Sequence, residues 1–124
     1  MPAPTPTTIF SVTPGMDADL PLQCKDRTGR NAIYQAADQL SVTVRATGAT
    51  GDMPSTGVTV DWNTLGGNQT GYDQGQIKVA LPGSFTANLQ TAITYRVNVF
   101  RQLGSNPNRK ERCASALVIV DPLA

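Results

Sequence analysis

Apolar and polar side chains alternate along seven short stretches of this 124-residue chain, and a period of two predicts β-strands. Residues 38–46 (DQLSVTVRA) show it most clearly, with Leu40, Val42 and Val44 on one face and Ser41, Thr43 and Arg45 on the other. The same rule marks residues 7–12 (TTIFSV), 17–24 (DADLPLQC), 57–62 (GVTVDW), 76–81 (QIKVAL), 93–103 (ITYRVNVFRQL) and 112–120 (RCASALVIV). In 93–103 the register points Tyr95, Val97 and Val99 inward, against Arg96, Asn98 and Phe100 outward. Pro21 has no N–H to give a ladder, so its strand is expected at a sheet edge. Only residues 84–91 (SFTANLQT) have helical spacing: Ser84 is placed as N-cap, and Phe85 and Leu89 share a face at i and i+4.

Turn signals separate these stretches: Pro14-Gly15, Gly29, Pro82-Gly83 and the Gly/Asn-rich segments 63–75 and 104–109. Strands with one apolar face bury it by packing two sheets about 10 Å apart. The expected fold is therefore all-β, a single antiparallel sandwich of about seven strands with one short helical turn. Residues 1–8 (MPAPTPTT) stand outside it as an extended arm, because each proline fixes its own φ and biases its predecessor; a disordered tail and an arm reaching to a neighbouring subunit are both open readings. Residues 9–124 make one domain.

Composition supports the strand reading: Val, Ile and Thr number 30, against one Glu and three Lys. β-Branched side chains suit a pleated surface, whereas Glu and Lys usually fill exposed helix faces. Charged residues make up 15% of the chain, and the net charge is +1. Nucleic-acid binding and polybasic membrane anchoring both need an excess of cations, so neither is expected. No apolar run approaches the about 20 residues a spanning helix needs. The chain has no histidine, which removes the commonest general base and metal ligand together. No catalysis, cofactor or metal is expected.

The remaining candidates for chemistry are few. Cys24 and Cys113 lie 89 positions apart, both on inward strand positions. Buried free thiols are the expectation. A bridge between the second and last strands stays open, and a catalytic or metal-binding pair lacks the histidine that would serve it as base. The N-terminus carries no positive n-region and no apolar h-region, which points to a reducing compartment. Asp17 and Asp19, and Asp61 and Asp73, read as turn caps and solvated loop carboxylates, since no dense Ca²⁺-loop register surrounds them. Asn68-Gln69-Thr70 matches a glycosylation sequon but is short enough to arise by chance. Trp62 keeps the inward register of Val58 and Val60 and reads as core, so Tyr72 is the better aromatic for stacking on a sugar. Arg109, Lys110 and Arg112 form the one basic cluster. They are secondary candidates for contact with an acidic partner surface.

The order of these elements resembles a known group. A D-x-D-L-P-L segment (Asp17 to Leu22) runs into a K-D-x-x-G turn (Lys25 to Gly29) and an A-D-x-L-x-V-x-V strand (Ala37 to Val44). A Gly-started strand (Gly75 to Leu81), a short helical turn (Pro82 to Leu89), a Y-x-V-x-V strand (Tyr95 to Val99) and a terminal apolar strand (Ala116 to Val120) complete it. The layout over Asp17 to Asp121 resembles the small immunoglobulin-like β-sandwich structural proteins of tailed bacteriophages and prophages. That resemblance implies a noncatalytic virion component of the tail, baseplate, neck or fibre attachment, assembled in the bacterial host cytoplasm. Its partners would be other virion proteins and further copies of itself, with no nucleic acid and no membrane. Contacts are expected from the arm (Pro2, Pro4, Thr5, Pro6), from the loop carrying Asn68 and Tyr72, and from Arg109, Lys110 and Arg112. The alternative expectation is a carbohydrate-binding or adhesin-like module that presents Tyr72 to a glycan.

Overall fold

A computed structural model describes residues 8–26, 28–30, 32, 38–62, 75–104 and 110–121. The elements run β1 (Thr8–Val12), β2 (Ala18–Gln23), β3 (Gln39–Ala46), β4 (Thr59–Trp62), β5 (Gln76–Leu81), α1 (Gly83–Thr86), β6 (Tyr95–Gln102) and β7 (Lys110–Val120). They form a four-stranded sheet in the order β1-β7-β6-β3 and a three-stranded sheet in the order β2-β5-β4. The expected seven-stranded all-β sandwich is the observed one.

Connectivity follows from which strands share a sheet. β3, β6 and β7 lie together, facing β2, β5 and β4, which is the division of an immunoglobulin sandwich into its C-F-G and B-E-D strands. The first strand joins the four-stranded sheet at its edge. It runs parallel to β7, with Thr8 opposite Ala116 and Val12 opposite Val120, while every other pair is antiparallel. Alternation fixes which face a residue takes but not the direction of its neighbour, so this parallel pair had no signal in the sequence. β2 is an edge strand, as Pro21 requires.

The core is the sum of the inward stripes: Leu20, Val44, Ile77, Val79, Leu81, Val97, Val99 and Val118 are essentially sealed from water. Phe85 and Leu89 close one end, both buried on the shared face their spacing predicts. The helix itself is shorter than expected and is not capped by Ser84. Its N-cap is Pro82, and the free N–H of Gly83 donates instead to Asp17 Oδ1 at 2.7 Å. Thr86, fully buried, completes the join: its hydroxyl donates to the Met16 carbonyl at 2.8 Å and accepts from the Gly15 N–H at 3.1 Å. The turn between β1 and β2 is thus bolted to the turn between β5 and β6.

Tyr95 opens β6 with its ring buried and its hydroxyl accepting from the Gln90 N–H at 2.8 Å. This is the tyrosine corner of immunoglobulin-like sandwiches, where a ring at the start of the sixth strand ties down the preceding crossover. Antibody domains place a disulfide cysteine two residues later; Val97 occupies that position here. Tyr95→Phe keeps the packing and loses only the hydrogen bond. It is expected to cost about 1 kcal/mol, read as a fall in Tm of about 4 °C by thermal unfolding. An unchanged Tm would show that the corner contributes nothing.

Candidate functional site

The outward face of the four-stranded sheet is the most distinctive surface among the described residues. Ile9 and Ser11 of β1 stand beside Leu117 and Ile119 of β7 in the parallel register. Ile9 is 60% exposed and Ile119 39% exposed, the two most exposed strand aliphatics of the described chain. Moving inward across the sheet, Ser115, Asn98 and Thr43 make an uncharged polar row. The charges at outward strand positions all carry one sign: Arg45 of β3, Arg96 of β6, and Lys110 and Arg112 of β7. A loop residue, Asp52, meets Arg45 at 3.1 Å across an exposed pair of small energetic weight. Lys110 lies over the outward ring of Phe100, 5.2 Å from its centroid, and Arg96 donates to the Ser115 hydroxyl at 3.1 Å.

The opposite face differs in sign. Outward positions of the three-stranded sheet carry Asp19 and Asp61 against a single cation, Lys78. The sandwich is therefore electrically polarised from one sheet to the other. Its origin is visible along the chain, which sums to −2 over residues 1–62 and +3 over 63–124. β6 and β7, both from the basic half, lie side by side in the four-stranded sheet.

A second feature lies where the edge strands β3 and β4 face each other across the open side of the sandwich. A groove of about 410 Å³ is lined there by Asp38, Gln39, Leu40, Val60, Asp61 and Trp62. Behind it, Arg101 continues the inward series of Tyr95, Val97 and Val99 and is only 8% exposed. Its Nε donates to Asp38 Oδ2 at 2.6 Å, and its guanidinium carbon lies 5.8 Å from the centroid of the Trp62 ring. The other oxygen of Asp38 accepts from the Gly104 N–H at 2.8 Å. Asp38 is thereby committed on both oxygens. The arrangement binds strand ends together and leaves Asp61 and Gln39 as the polar groups free to face the groove mouth.

The cysteines are both buried and unbridged. The neighbouring Cys113 thiol lowers the Cys24 pKa, while the Cys24 thiol and burial raise that of Cys113. Elsewhere, the Thr28 hydroxyl and the backbone N–H groups of Arg30 and Thr28 hold the Asp26 carboxyl below its usual range, closing the turn after β2. Among the described residues, no three His, Cys, Asp or Glu side chains converge as a metal site would require. No helix there is long and apolar enough to cross a membrane.

Of the residues singled out from sequence, Lys110 and Arg112 are exposed on the basic face. Pro2, Pro4, Thr5, Pro6, Asn68, Tyr72 and Arg109 lie outside the described residues. Trp62 is half-buried and packs against the core, as its register predicts, while also forming one wall of the groove. Asp17 serves as the cap described above, and Asp19 is exposed on the other sheet face. The sequence reading missed Arg45 and Arg96 as partners of the basic cluster, and Arg101 with Asp38 as a buried pair. The signal for Arg101 was present, since it stands two positions beyond Val99 on the inward register.

No protein-family model, no curated protein and no solved structure matches the chain.

Proposed function

We propose that this protein is a noncatalytic assembly component of a tailed-phage virion that works through protein–protein contacts. The observation that carries the reading is the outward face of the four-stranded sheet. It combines exposed Ile9 and Ile119, an uncharged polar row and four cations at outward strand positions. Interface cores are depleted in charge because an unpaired buried charge is costly, and uncharged polar groups cost less to bury when a partner matches them. The four outward cations form the rim that selects an acidic partner surface and steers its approach. The motif order from Asp17 to Asp121 supports placing that partner in a phage particle. Many copies around a tail or neck add modest contacts into firm attachment. Residues 1–7 supply a further contact to a neighbouring subunit.

Two changes test the reading without touching the core. The double charge reversal Lys110→Glu with Arg112→Glu, and separately Ile119→Asp, should leave the circular dichroism spectrum and Tm intact. Each should lower incorporation of the protein into particles at least about tenfold, the equivalent of about 1.4 kcal/mol at one contact. Deleting residues 1–7 should do likewise. Undiminished incorporation of all three variants would remove the proposal.

Glycan binding is the second reading, favoured by the groove that Trp62 walls beside Asp61 and Gln39. Retention on a glycan array that disappears with Trp62→Ala or Tyr72→Ala, in a chain that stays folded, would favour it over assembly.

A further inference from the structure

Cys24 follows β2 in the three-stranded sheet and Cys113 lies in β7 of the four-stranded sheet, and the backbone brings the two positions side by side. Backbone contacts hold them there from both sides. The N–H of Lys25 donates to the Cys113 carbonyl at 2.8 Å, the point where the two sheets are stitched edge to edge. The N–H of Cys24 donates to the Gly75 carbonyl at 2.7 Å, and its carbonyl accepts from the Ala32 N–H at 2.9 Å. Cys24 is wholly buried and Cys113 is 4% exposed, within one apolar cluster.

Two thiols buried in one cluster, with the residue after Cys24 bonded directly to the Cys113 backbone, differ from two ordinary core cysteines. A core cysteine packs like a small apolar side chain and needs no sulfur partner. Here a second thiol is a neighbour, and it belongs to the other sheet. We propose that Cys24 and Cys113 are a disulfide-forming pair whose oxidation cross-links the two sheets. An external low-molecular-weight disulfide, RSSR, is the oxidant. One cysteine thiolate displaces RS⁻ and forms a mixed disulfide; the second thiolate attacks the protein sulfur of that adduct and displaces the other RS⁻. Two thiol protons leave with them as two RSH, and the pair has given up two electrons. The bridge encloses the chain between positions 24 and 113. Such a long loop gives a large loss of freedom in the unfolded state.

The test is refolding of the full chain from urea with oxidised and reduced glutathione, which lets the reagent reach both sulfurs before burial. The expected product is a monomer two mass units lighter with no alkylatable thiol, in which peptides containing Cys24 and Cys113 are linked. Its Tm should rise by roughly 10 °C over the reduced chain and fall back on treatment with dithiothreitol. Cys24→Ser and Cys113→Ser should each fold, form no intramolecular bridge and show no rise. A wild-type chain that recovers its native spectrum yet keeps both thiols free, carries two glutathiones, or links only between molecules would overturn the proposal.

Discussion

Arg101→Met is expected to destabilise the sandwich by about 3–5 kcal/mol, a fall in Tm of roughly 12–20 °C. The size follows from what is left behind. Asp38 is 4% exposed at its side chain and 2.6 Å from the Arg101 Nε, so removing the cation strands a carboxylate away from water. Methionine restores the volume of the arginine stem, so cavity formation adds little to the loss. The Gly104 N–H continues to donate to the carboxylate but cannot balance its charge. The double change Arg101→Met with Asp38→Leu should recover most of the loss, because a buried pair exchanged for apolar groups of similar volume is often neutral. Urea unfolding of the four chains of this cycle measures it. Trp62, the one tryptophan, lies beside the guanidinium and reports the transition by fluorescence. A loss below about 1 kcal/mol in Arg101→Met would mean that water reaches Asp38 and that the pair behaves as a surface ion pair.

That pair also shows where sequence reasoning stopped. The inward stripe of β6 is legible through Tyr95, Val97 and Val99, and the same period makes Arg101 the next inward residue. An arginine at such a position reads as a strand end leaving the core. What makes it core is Asp38, 63 positions earlier and just ahead of β3, whose pairing with β6 alternation cannot announce. The helix cap behaves alike. Ser84 has the right chemistry at the right local spacing, yet the Gly83 N–H is taken by Asp17, 66 positions away. Strand existence, face and the half-buried Trp62 were readable because they depend on a residue's immediate neighbours. The parallel β1–β7 pair, the distant cap and the buried ion pair depend on partners, which the chain's order does not encode locally.

The same distinction governs the basic face. Lys110 and Arg112 are separated only by Glu111 in sequence and were visible as a cluster. Arg45 and Arg96 join them only because β3, β6 and β7 are neighbours in one sheet, Arg45 opposite Arg96 and Phe100 opposite Arg112. A chain of net charge +1 therefore presents one distinctly positive side. Outward strand positions of that sheet carry cations while Asp19 and Asp61 stand on the other sheet, an arrangement suited to meeting an acidic partner with a fixed orientation.

Gly75→Ala should be strongly destabilising. Gly75 lies at φ +81°, and a Cβ there would stand 2.5 Å from Gln23 Nε2, 2.8 Å from the Cys24 carbonyl oxygen and 3.0 Å from the Ala32 nitrogen. Gly48 lies at a similar φ of +87° with nothing within 4 Å of the same position, which separates the two costs. Gly48→Ala should cost about 1–2 kcal/mol, from backbone conformation alone. Gly75→Ala carries that cost and must also move backbone atoms, so a total of about 3–5 kcal/mol is expected. The glutamine amide can swing aside; the Cys24 carbonyl cannot, because it accepts from Ala32 while the Cys24 N–H donates to Gly75 itself. Displacing that ladder also moves the Cys24 sulfur away from Cys113. Thermal unfolding of the two alanine variants side by side gives the difference directly. Equal losses at both sites would show that the segment around Cys24 yields freely and that Gly75 is there for its φ alone.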